Sequence, residues 1–340
     1  MAVVCRVIAK NVRRWRQRAI RVLFWNDFFI RESNMKDIGF VGTGTIGAPM
    51  AMRLLDAGHR LRVYDLNIEA TRPHEDKGAL RAASLREIAE HCAVVFLSLP
   101  GPKQIEAVML GADGLLAHAR PDCTIVDLST NAIALNRQLA SQASSQGMHY
   151  LDAPVSGGRV GAIAGKLAVM VGGDRAAFEA VRDLIACFGE NIFYMGDAGA
   201  GTLTKLVNNQ IFLAASVLVQ EGFVMGVKAG MDPSALLEVF KVSSAASVLG
   251  RASLFLSRKF EQDIFSLAIA AKDIDVALAS AAALGAQMPM TAAAAGVYQR
   301  ALEQGLGAQD FYATVKVLEA AAGVTVPPLQ KPPAPDKAAR

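Results

Sequence analysis

Cysteine and histidine are scarce in this sequence, and neither occurs at the spacing of a metal site. There is no C-x-x-C pair among the four cysteines, Cys5, Cys92, Cys123 and Cys187. This spacing argues against a disulfide framework or a zinc knuckle and favours a reducing compartment, so we expect a cytoplasmic protein. The five histidines form no H-x-x-x-H pair, and we therefore predict no metal.

Long apolar runs are also missing. None reaches the roughly 18 residues that a membrane span needs, and the most apolar stretch, 211–231, is interrupted by Gln220, Glu221 and Lys228. We therefore expect no membrane association.

The formal net charge of +4 has a local origin. Residues 1–34 carry eight Lys and Arg against two acidic residues, so the other 306 residues have a net charge of −2. A nearly neutral body lacks the basic footprint of a nucleic-acid-binding protein, and we expect no nucleic-acid partner.

The two ends of the chain differ in composition from the middle. Residues 1–34 are compatible with a twin-arginine signal at Arg13-Arg14, an arginine-rich presequence, or an extension upstream of a start at Met35. A clean apolar stretch and cleavage site are missing, so we predict an extension outside the fold. The proline-rich residues 327–340 predict a solvated tail.

Between these ends, two patterns follow one another. Short apolar strands alternate with amphipathic helices over residues 35–198, with strands predicted at Ile38–Val41, Leu61–Tyr64, Val94–Leu99, Thr124–Leu128, Tyr150–Asp152 and Leu167–Val171. This alternation predicts an α/β Rossmann-type dinucleotide-binding domain. Residues 199–326 predict an all-α domain, joined to the first by a long helix over 202–230.

A G-x-G-x-x-G motif follows the first predicted strand and opens a helix. Gly42 would allow the tight turn, Gly44 the approach of a pyrophosphate, and Gly47 close packing of helix and strand. The helix N-terminus, at Thr45 and Ile46, would offer N–H groups to the phosphates.

Asp65 ends the second strand, 23 residues after Gly42. A carboxylate there can accept a hydrogen bond from a ribose 2′-hydroxyl and would repel a 2′-phosphate. No arginine follows at once, so we predict NAD, with NADP less favoured.

Polar residues interrupt the start of the long apolar helix. Lys205 and Asn209 are four residues apart and share one helix face. A lysine in a cleft near a helix N-terminus has a lowered pKa and can act as a general acid or base. The Tyr312–Lys316 pair has the spacing of a reductase pair, but we interpret it as an ordinary helix pair.

A turn of small residues follows the strand that ends at Asp152. The backbone N–H groups of Ser156, Gly157 and Gly158, with the serine hydroxyl, could hold a carboxylate. A plain turn is the alternative.

Four segments together resemble the β-hydroxyacid dehydrogenases: IGFVGTGTIGAPMA, DAPVSGGRVGAIAGKLAVMVGG, GAGTLTKLVNNQ and AAKDIDVAL. The resemblance extends from about Lys36 to Leu318. It implies that Lys205 is the catalytic lysine, that Asn209 positions the substrate, and that Ser156, Gly157 and Gly158 hold its carboxylate.

The same resemblance assigns residues around the cofactor. It implies that Leu99 and Pro100 line the cofactor, that Thr130 lies near the nicotinamide ribose, and that Lys272 closes over the site. The family usually has a proline soon after Ser129-Thr130, whereas this chain has Asn131-Ala132-Ile133.

We therefore expect an NAD-dependent oxidoreductase of a small, 3-hydroxyisobutyrate-like 3-hydroxy acid, assembled as a homodimer or homotetramer. Reduction of 2-hydroxy-3-oxopropionate is the nearest alternative. Decarboxylation of phosphogluconate is disfavoured by the short helical domain. A catalytically silent NAD(H)-binding module is the alternative of a different class.

Overall fold

The computed structural model describes residues 38–250, 252–261 and 265–329. The predictions for residues 1–34 concern residues outside these ranges, and residues 35–37 and 330–340 also lie outside them. The described strands are β1 (Ile38–Val41), β2 (Leu61–Tyr64), β3 (Leu80–Arg81), β4 (Val94–Leu97), β5 (Thr124–Asp127), β6 (His149–Asp152), β7 (Val155–Ser156), β8 (Leu167–Gly172) and β9 (Gly189–Gly196).

The strands form one sheet in the order β3-β2-β1-β4-β5-β6-β8-β7, with β9 paired to β8. The first six strands of this order are parallel, and β8 is antiparallel to β6 and β7. The order 3-2-1-4-5-6 is that of a Rossmann fold, in which ligands bind where the strand order reverses, between β1 and β4. The predicted fold class is confirmed.

Helices cover both faces of this sheet, which is why its central strands are apolar throughout. They are α1 (Gly47–Asp56), α2 (Arg72–Glu75), α3 (Leu85–His91), α4 (Pro102–Leu110), α5 (Leu115–His118), α6 (Ile133–Ser145), α7 (Gly158–Ala164) and α8 (Arg175–Ala186). Phe40 of β1 and Phe96 of β4 are fully buried, with ring centroids 6.0 Å apart. We call residues 38–198 the sheet half.

Six α-helices follow, and we call them the helical half: α9 (Ala200–Lys228), α10 (Pro233–Lys241), α11 (Ala252–Leu256), α12 (Leu267–Ala283), α13 (Pro289–Glu303) and α14 (Val315–Ala322). Their core is aromatic and includes Phe223, Phe255 and Phe311, all fully buried. The N-terminus of α10 is capped by Asp232, which accepts from the N–H groups of Ser234 and Ala235.

By length and composition, α9 is the one helix in the described ranges that could cross a membrane. It is also a core helix: Leu206, Leu213 and Phe223 are buried against its neighbours. Packing in the protein interior therefore accounts for part of its apolar composition, while other apolar side chains of α9 stay exposed.

The structure differs from the sequence prediction at three strands and at the tail. Strands β3, β7 and β9 were not predicted, because two are only two residues long and β9 is a largely exposed edge strand. In the predicted tail, Pro327 and Pro328 are exposed, but the Leu329 N–H donates to the Leu256 carbonyl at 3.1 Å. Leu329, in the predicted tail, is therefore attached to the end of α11.

Candidate active site

The glycine-rich loop has the geometry that its sequence predicts. Gly42 has a φ of +92°, and a Cβ there would lie 2.2 Å from the Ser98 carbonyl oxygen. A Cβ on Gly47 would lie 1.9 Å from the Gly42 carbonyl oxygen, so both positions exclude a side chain. By contrast, a Cβ on Gly44 would meet no protein atom within 4 Å. The open side of Gly44 is the side on which a pyrophosphate would lie.

The N-terminus of α1 is free for an anion. Ile46, the residue that precedes the helix, makes no side-chain cap, and the first turn contains no acidic residue. Its N–H groups and the positive end of the helix dipole fit a phosphate. The residues present therefore fit a dinucleotide.

Asp65 lies beside this loop. One carboxylate oxygen, Oδ2, accepts from the Thr43 N–H at 2.7 Å, and Oδ1 accepts from the Asn67 N–H at 2.8 Å. The half-buried carboxylate thus joins the end of β2 to the loop that follows β1. It stands where the sequence analysis placed the partner of the ribose.

The loops after β4 and β5 meet at Leu99. Its N–H donates to the Ser129 hydroxyl at 2.9 Å, and Leu99 Cδ2 would lie 3.3 Å from a Cβ on Gly42. Pro100 is exposed, next to Leu99. Both residues therefore lie at the crevice where the strand order reverses.

The start of α9 is pressed against the sheet. A Cβ on Gly201 would lie 2.2 Å from the Met170 carbonyl oxygen and 2.5 Å from that of Asp152. A side chain at position 201 would therefore collide with the sheet backbone. This close approach brings the first turns of α9 to the carboxyl end of β6.

The predicted catalytic pair meets a carboxylate from the helical half. Asn209 is buried, and its Nδ2 donates to Asp273 Oδ2 at 2.7 Å. The other oxygen, Asp273 Oδ1, lies 2.7 Å from Lys272 Nζ, yet this ion pair lacks hydrogen-bonding geometry, and the oxygen accepts no hydrogen bond within the described ranges.

The environment of Lys205 lowers the pKa of its ammonium from 10.5 to about 8. Burial is the largest cause, the positive charge of Lys272 acts in the same direction, and Asp273 opposes both. A lysine with this pKa is partly neutral near pH 8, which suits proton transfer.

Lys272 bridges the two halves. From α12 it donates to the Thr130 carbonyl at 3.3 Å, and its side chain would lie 3.0 Å from a Cβ on Gly101. It therefore stands over the loops that follow β4 and β5.

The Ser156–Gly158 turn is connected to the same region through β8. Ser156 pairs with Ala168 on β8, and the carbonyl of Met170, two residues further on, touches Gly201. Gly157 and Gly158 both have positive φ, +131° and +63°, so the turn requires glycine.

Asp273 and Asp152 are the two buried carboxylates at α9 that sequence reasoning did not assign to the site. Asp273 follows Lys272 directly, so its place in that motif was the available signal. The Tyr312–Lys316 pair is structural, since Tyr312 is buried in the helical core and Lys316 Nζ binds Gln309 at 2.8 Å. Within the described ranges, no group of three or more His, Cys, Asp or Glu is placed to hold a metal ion.

Comparison with known protein families finds a dehydrogenase model that matches each half of the chain. The family model of the NAD-binding domain of 6-phosphogluconate dehydrogenase matches residues 37–196. The model described as NAD-binding of NADP-dependent 3-hydroxyisobutyrate dehydrogenase matches residues 199–318.

Three individual proteins illustrate the similarity. The NAD-dependent L-serine dehydrogenase of Pseudomonas aeruginosa is 36% identical over 300 residues, which are 85% of this chain and 100% of that protein. The 2-hydroxy-3-oxopropionate reductase of Escherichia coli is 36% identical over 291 residues, 83% of this chain and 97% of that one. The 3-hydroxyisobutyrate dehydrogenase of Mycobacterium tuberculosis, solved with L-serine, has a TM-score of 0.76 at 31% identity and covers 84% of this chain and 99% of its own.

The dinucleotide crevice, together with these matches, defines an NAD(P)-dependent oxidoreductase that acts on a CH–OH group. The two relatives at 36% identity are matched over nearly their whole length, and this similarity identifies the family within that class. The chain belongs to the β-hydroxyacid dehydrogenase family.

Proposed function

We propose that this protein oxidises a small 3-hydroxy acid of the 3-hydroxyisobutyrate type with NAD, and that Lys205 transfers the hydroxyl proton. The observation that carries the proposal is the lowered pKa of Lys205 on the same helix face as Asn209, beside Asp273. The crevice at Gly44 and Asp65 supports NAD as the cofactor.

When bound, NAD supplies the acceptor for the hydride that leaves the hydroxyl-bearing carbon. Lys205 Nζ takes the hydroxyl proton as the carbonyl forms, and returns it in the reverse direction. Asn209 holds the substrate, since its amide is fixed by Asp273. The Ser156 turn holds the carboxylate with N–H groups that glycine leaves accessible. Such positioning accounts for much of the rate gain in a reaction of two bound partners.

The substrates that name the similar proteins share one skeleton. 3-Hydroxyisobutyrate and L-serine are 3-hydroxypropanoates, with a methyl or an amino group at carbon 2, and the reduction of 2-hydroxy-3-oxopropionate gives the 2-hydroxy member of the series. For this reason 2-hydroxy-3-oxopropionate reduction remains the second candidate function. The substituent at carbon 2 is what a substrate panel must vary.

The test combines that panel with two variants of Lys205. Turnover is measured on 3-hydroxyisobutyrate, L-serine, glycerate, threonate, 4-hydroxybutyrate and 2-hydroxy-3-oxopropionate, with NAD and NADP. Lys205→Ala should lower kcat by about 10²–10⁴ and leave NADH affinity within a few-fold, because the dinucleotide contacts lie in the sheet half. Lys205→Arg should be nearly as damaging, since a guanidinium does not deprotonate at working pH.

Lys316→Ala is the matched control, since that lysine lies in the helical core and should leave kcat unchanged. Retention of more than about a tenth of kcat by Lys205→Ala would contradict the proton-transfer role. Binding of NADH with no turnover on any member of the panel would favour the silent module instead.

We also propose a homodimer or homotetramer located in the cytoplasm. One face of α9 exposes apolar side chains along its length, namely Leu203, Val207, Ile211, Leu218 and Met225. Such a surface is more apolar than a monomer usually leaves in water. A monomeric mass by light scattering at micromolar concentration would contradict the assembly.

A further inference from the structure

The first turn of α9 is held by a carboxylate from the sheet half. Gly199 precedes the helix and has no side chain to cap it. Asp152, at the end of β6, takes this place: Oδ1 accepts from the Gly199 N–H and Oδ2 from the Thr202 N–H, both at 2.7 Å. Two of the unpaired donors of the helix N-terminus are thereby satisfied.

A second bond holds the same turn from another direction. The Thr202 hydroxyl accepts from Asn136 Nδ2 at 2.6 Å, and both residues are fully buried. The orientation of the Asn136 amide is set in turn by Asn131, whose Nδ2 donates to Asn136 Oδ1. Asn131 is itself oriented by the Ala132 N–H, which donates to its Oδ1 at 2.8 Å. Thr202 is thus fixed by both β6 and α6.

The bonded chain continues to the cofactor crevice. The Tyr150 hydroxyl lies 2.9 Å from Asn136 Oδ1 and 2.8 Å from Asp127 Oδ2. Asp127 Oδ1 accepts from the Ser129 N–H at 3.0 Å, and the Ser129 hydroxyl accepts from the Leu99 N–H at 2.9 Å. Each link is buried or half-buried, so the loop that lines the crevice is joined to α9 by polar contacts shielded from water.

Thr202 is three residues before Lys205 and therefore lies on the same side of the helix. We propose that Thr202 is a positioning residue, which fixes the first turn of α9 so that the Lys205 ammonium stands at the hydroxyl of the substrate. This inference rests on the proposed proton-transfer role of Lys205.

Packing alone does not explain a threonine at this position. Valine has nearly the same shape, and an apolar side chain would avoid the cost of burying a hydroxyl. What the hydroxyl adds is direction, because a hydrogen bond specifies an angle and a distance that apolar contact does not. Proton transfer depends on such geometry, and small misplacement is costly.

The experiment compares Thr202→Val with Thr202→Ser, each in the wild-type background and in Lys205→Ala. In the wild-type background, Thr202→Val should lower kcat about 10- to 100-fold, with KM for the hydroxy acid and NADH affinity within threefold. Thr202→Ser restores the hydroxyl and should recover kcat to within about threefold. In the Lys205→Ala background, Thr202→Val should cost nothing more, because no ammonium is left to misplace.

Thr314→Val is the matched control. Thr314 is also a fully buried threonine, and its hydroxyl donates to Gln220 of the same helix, α9, at 2.8 Å. This variant should lose stability to a similar degree and keep its kcat. If Thr202→Val does not fold, Thr202→Ala is judged by the same readouts.

Failure of the Thr202 inference can be distinguished from failure of the proposed role of Lys205. If Lys205→Ala loses activity but Thr202→Val keeps kcat within twofold, the inference is wrong and the proposed function stands. An equal loss from Thr202→Val in both backgrounds, or from Thr314→Val as well, would show a structural role and overturn the inference. If Lys205→Ala itself keeps its activity, the proposed function fails first.

Discussion

Two buried aspartates reach α9 from opposite halves of the molecule, and their surroundings differ. Asp152, in the sheet half, accepts two backbone N–H groups at 2.7 Å, one on each oxygen. Asp273, in the helical half, has one oxygen bonded to Asn209, while the other touches Lys272 without a hydrogen bond. Only the first carboxylate is fully paired by the protein.

The two aspartates contact different parts of α9: Asp152 bonds to the backbone at its start, and Asp273 bonds to the side chain of Asn209 further along. The Asp152 carboxylate fixes the chain, because each of its oxygens accepts a backbone N–H at the start of α9. A buried oxygen without a hydrogen bond costs free energy, and such groups are expected where a substrate or a proton takes part. The start of α9 is therefore fixed by the sheet half, and the proposed catalytic pair, Lys205 and Asn209, follows in its second and third turns.

The largest effect on stability is expected from Asp152→Ala. The variant leaves the buried Gly199 and Thr202 N–H groups unpaired and removes the helix cap, so the free energy of unfolding should fall by about 2–4 kcal/mol. Urea denaturation measures this change. Asp232→Ala is the control, because that cap is exposed and water can replace it. An equal loss in both variants would remove the distinction drawn for Asp152.

A smaller change in stability, and in the opposite direction, is expected from Asp127→Asn, which should make the protein more stable. Burial raises the pKa of Asp127 to about 6, with Asp152 acting in the same direction and hydrogen bonds from Ser129 and Tyr150 opposing. The Tyr150 hydroxyl has one proton but faces two acceptors, Asp127 Oδ2 and Asn136 Oδ1. A protonated Asp127 would donate its own proton to the Tyr150 hydroxyl, which could then donate to Asn136 Oδ1.

Because the folded-state pKa lies above the unfolded value of 3.8, the folded protein binds this proton more tightly. The stability it contributes is present below about pH 4 and is lost as the pH rises through about 6. Asparagine does not ionise, so Asp127→Asn should remove this decline and add about 1–3 kcal/mol at pH 8. Unfolding measured at several pH values tests this, and equal slopes in both proteins would contradict it.

Asp65 accepts a backbone N–H on each carboxylate oxygen, as Asp152 does, but it is half-buried and faces the crevice. Asp65→Asn with Leu66→Arg should shift kcat/KM toward NADP by roughly 10- to 100-fold, because repulsion is removed and a phosphate partner is added. Leu66 is 88% exposed, so an arginine there is accommodated. Leu66→Arg alone is the control, and equal kinetics with both cofactors in the unmodified protein would contradict the role of Asp65.

The smallest effect is expected from Asp273→Asn. Asp273 raises the pKa of Lys205 against the effects of burial and Lys272. Without that charge the pKa should fall below about 8, and the acidic limb of kcat for oxidation should move to lower pH, by roughly half to one unit. Asp275→Asn, at an exposed site on the same helix, is the control. An unchanged pH profile would show that Asp273 acts only by holding Asn209.

Local patterns in the sequence predicted the features that depend on neighbouring residues. The apolar run before Gly42 and the glycine spacing placed the crevice, and the four-residue spacing placed Lys205 and Asn209 on one face. The contacts of Asp273 and Asn136 were not predictable, because they join residues 64 and 66 positions apart. Strand β9 was missed because Phe193 and Met195 are apolar although they are exposed, so residues 192–195 show no alternation of polar and apolar side chains in the sequence.

The attachment of α9 decides which groups would move together if the two halves separate. Lys205 is rooted in the sheet half through Asp152, whereas Lys272 extends from α12 to the Thr130 carbonyl across the boundary. A rotation that opened the boundary would break the Lys272–Thr130 contact, and as long as the Asp152 bonds held it would leave Lys205 beside the strands that form the crevice. Exchange of small molecules through such an opening would then not require Lys205, the proposed proton-transfer group, to be repositioned in each cycle.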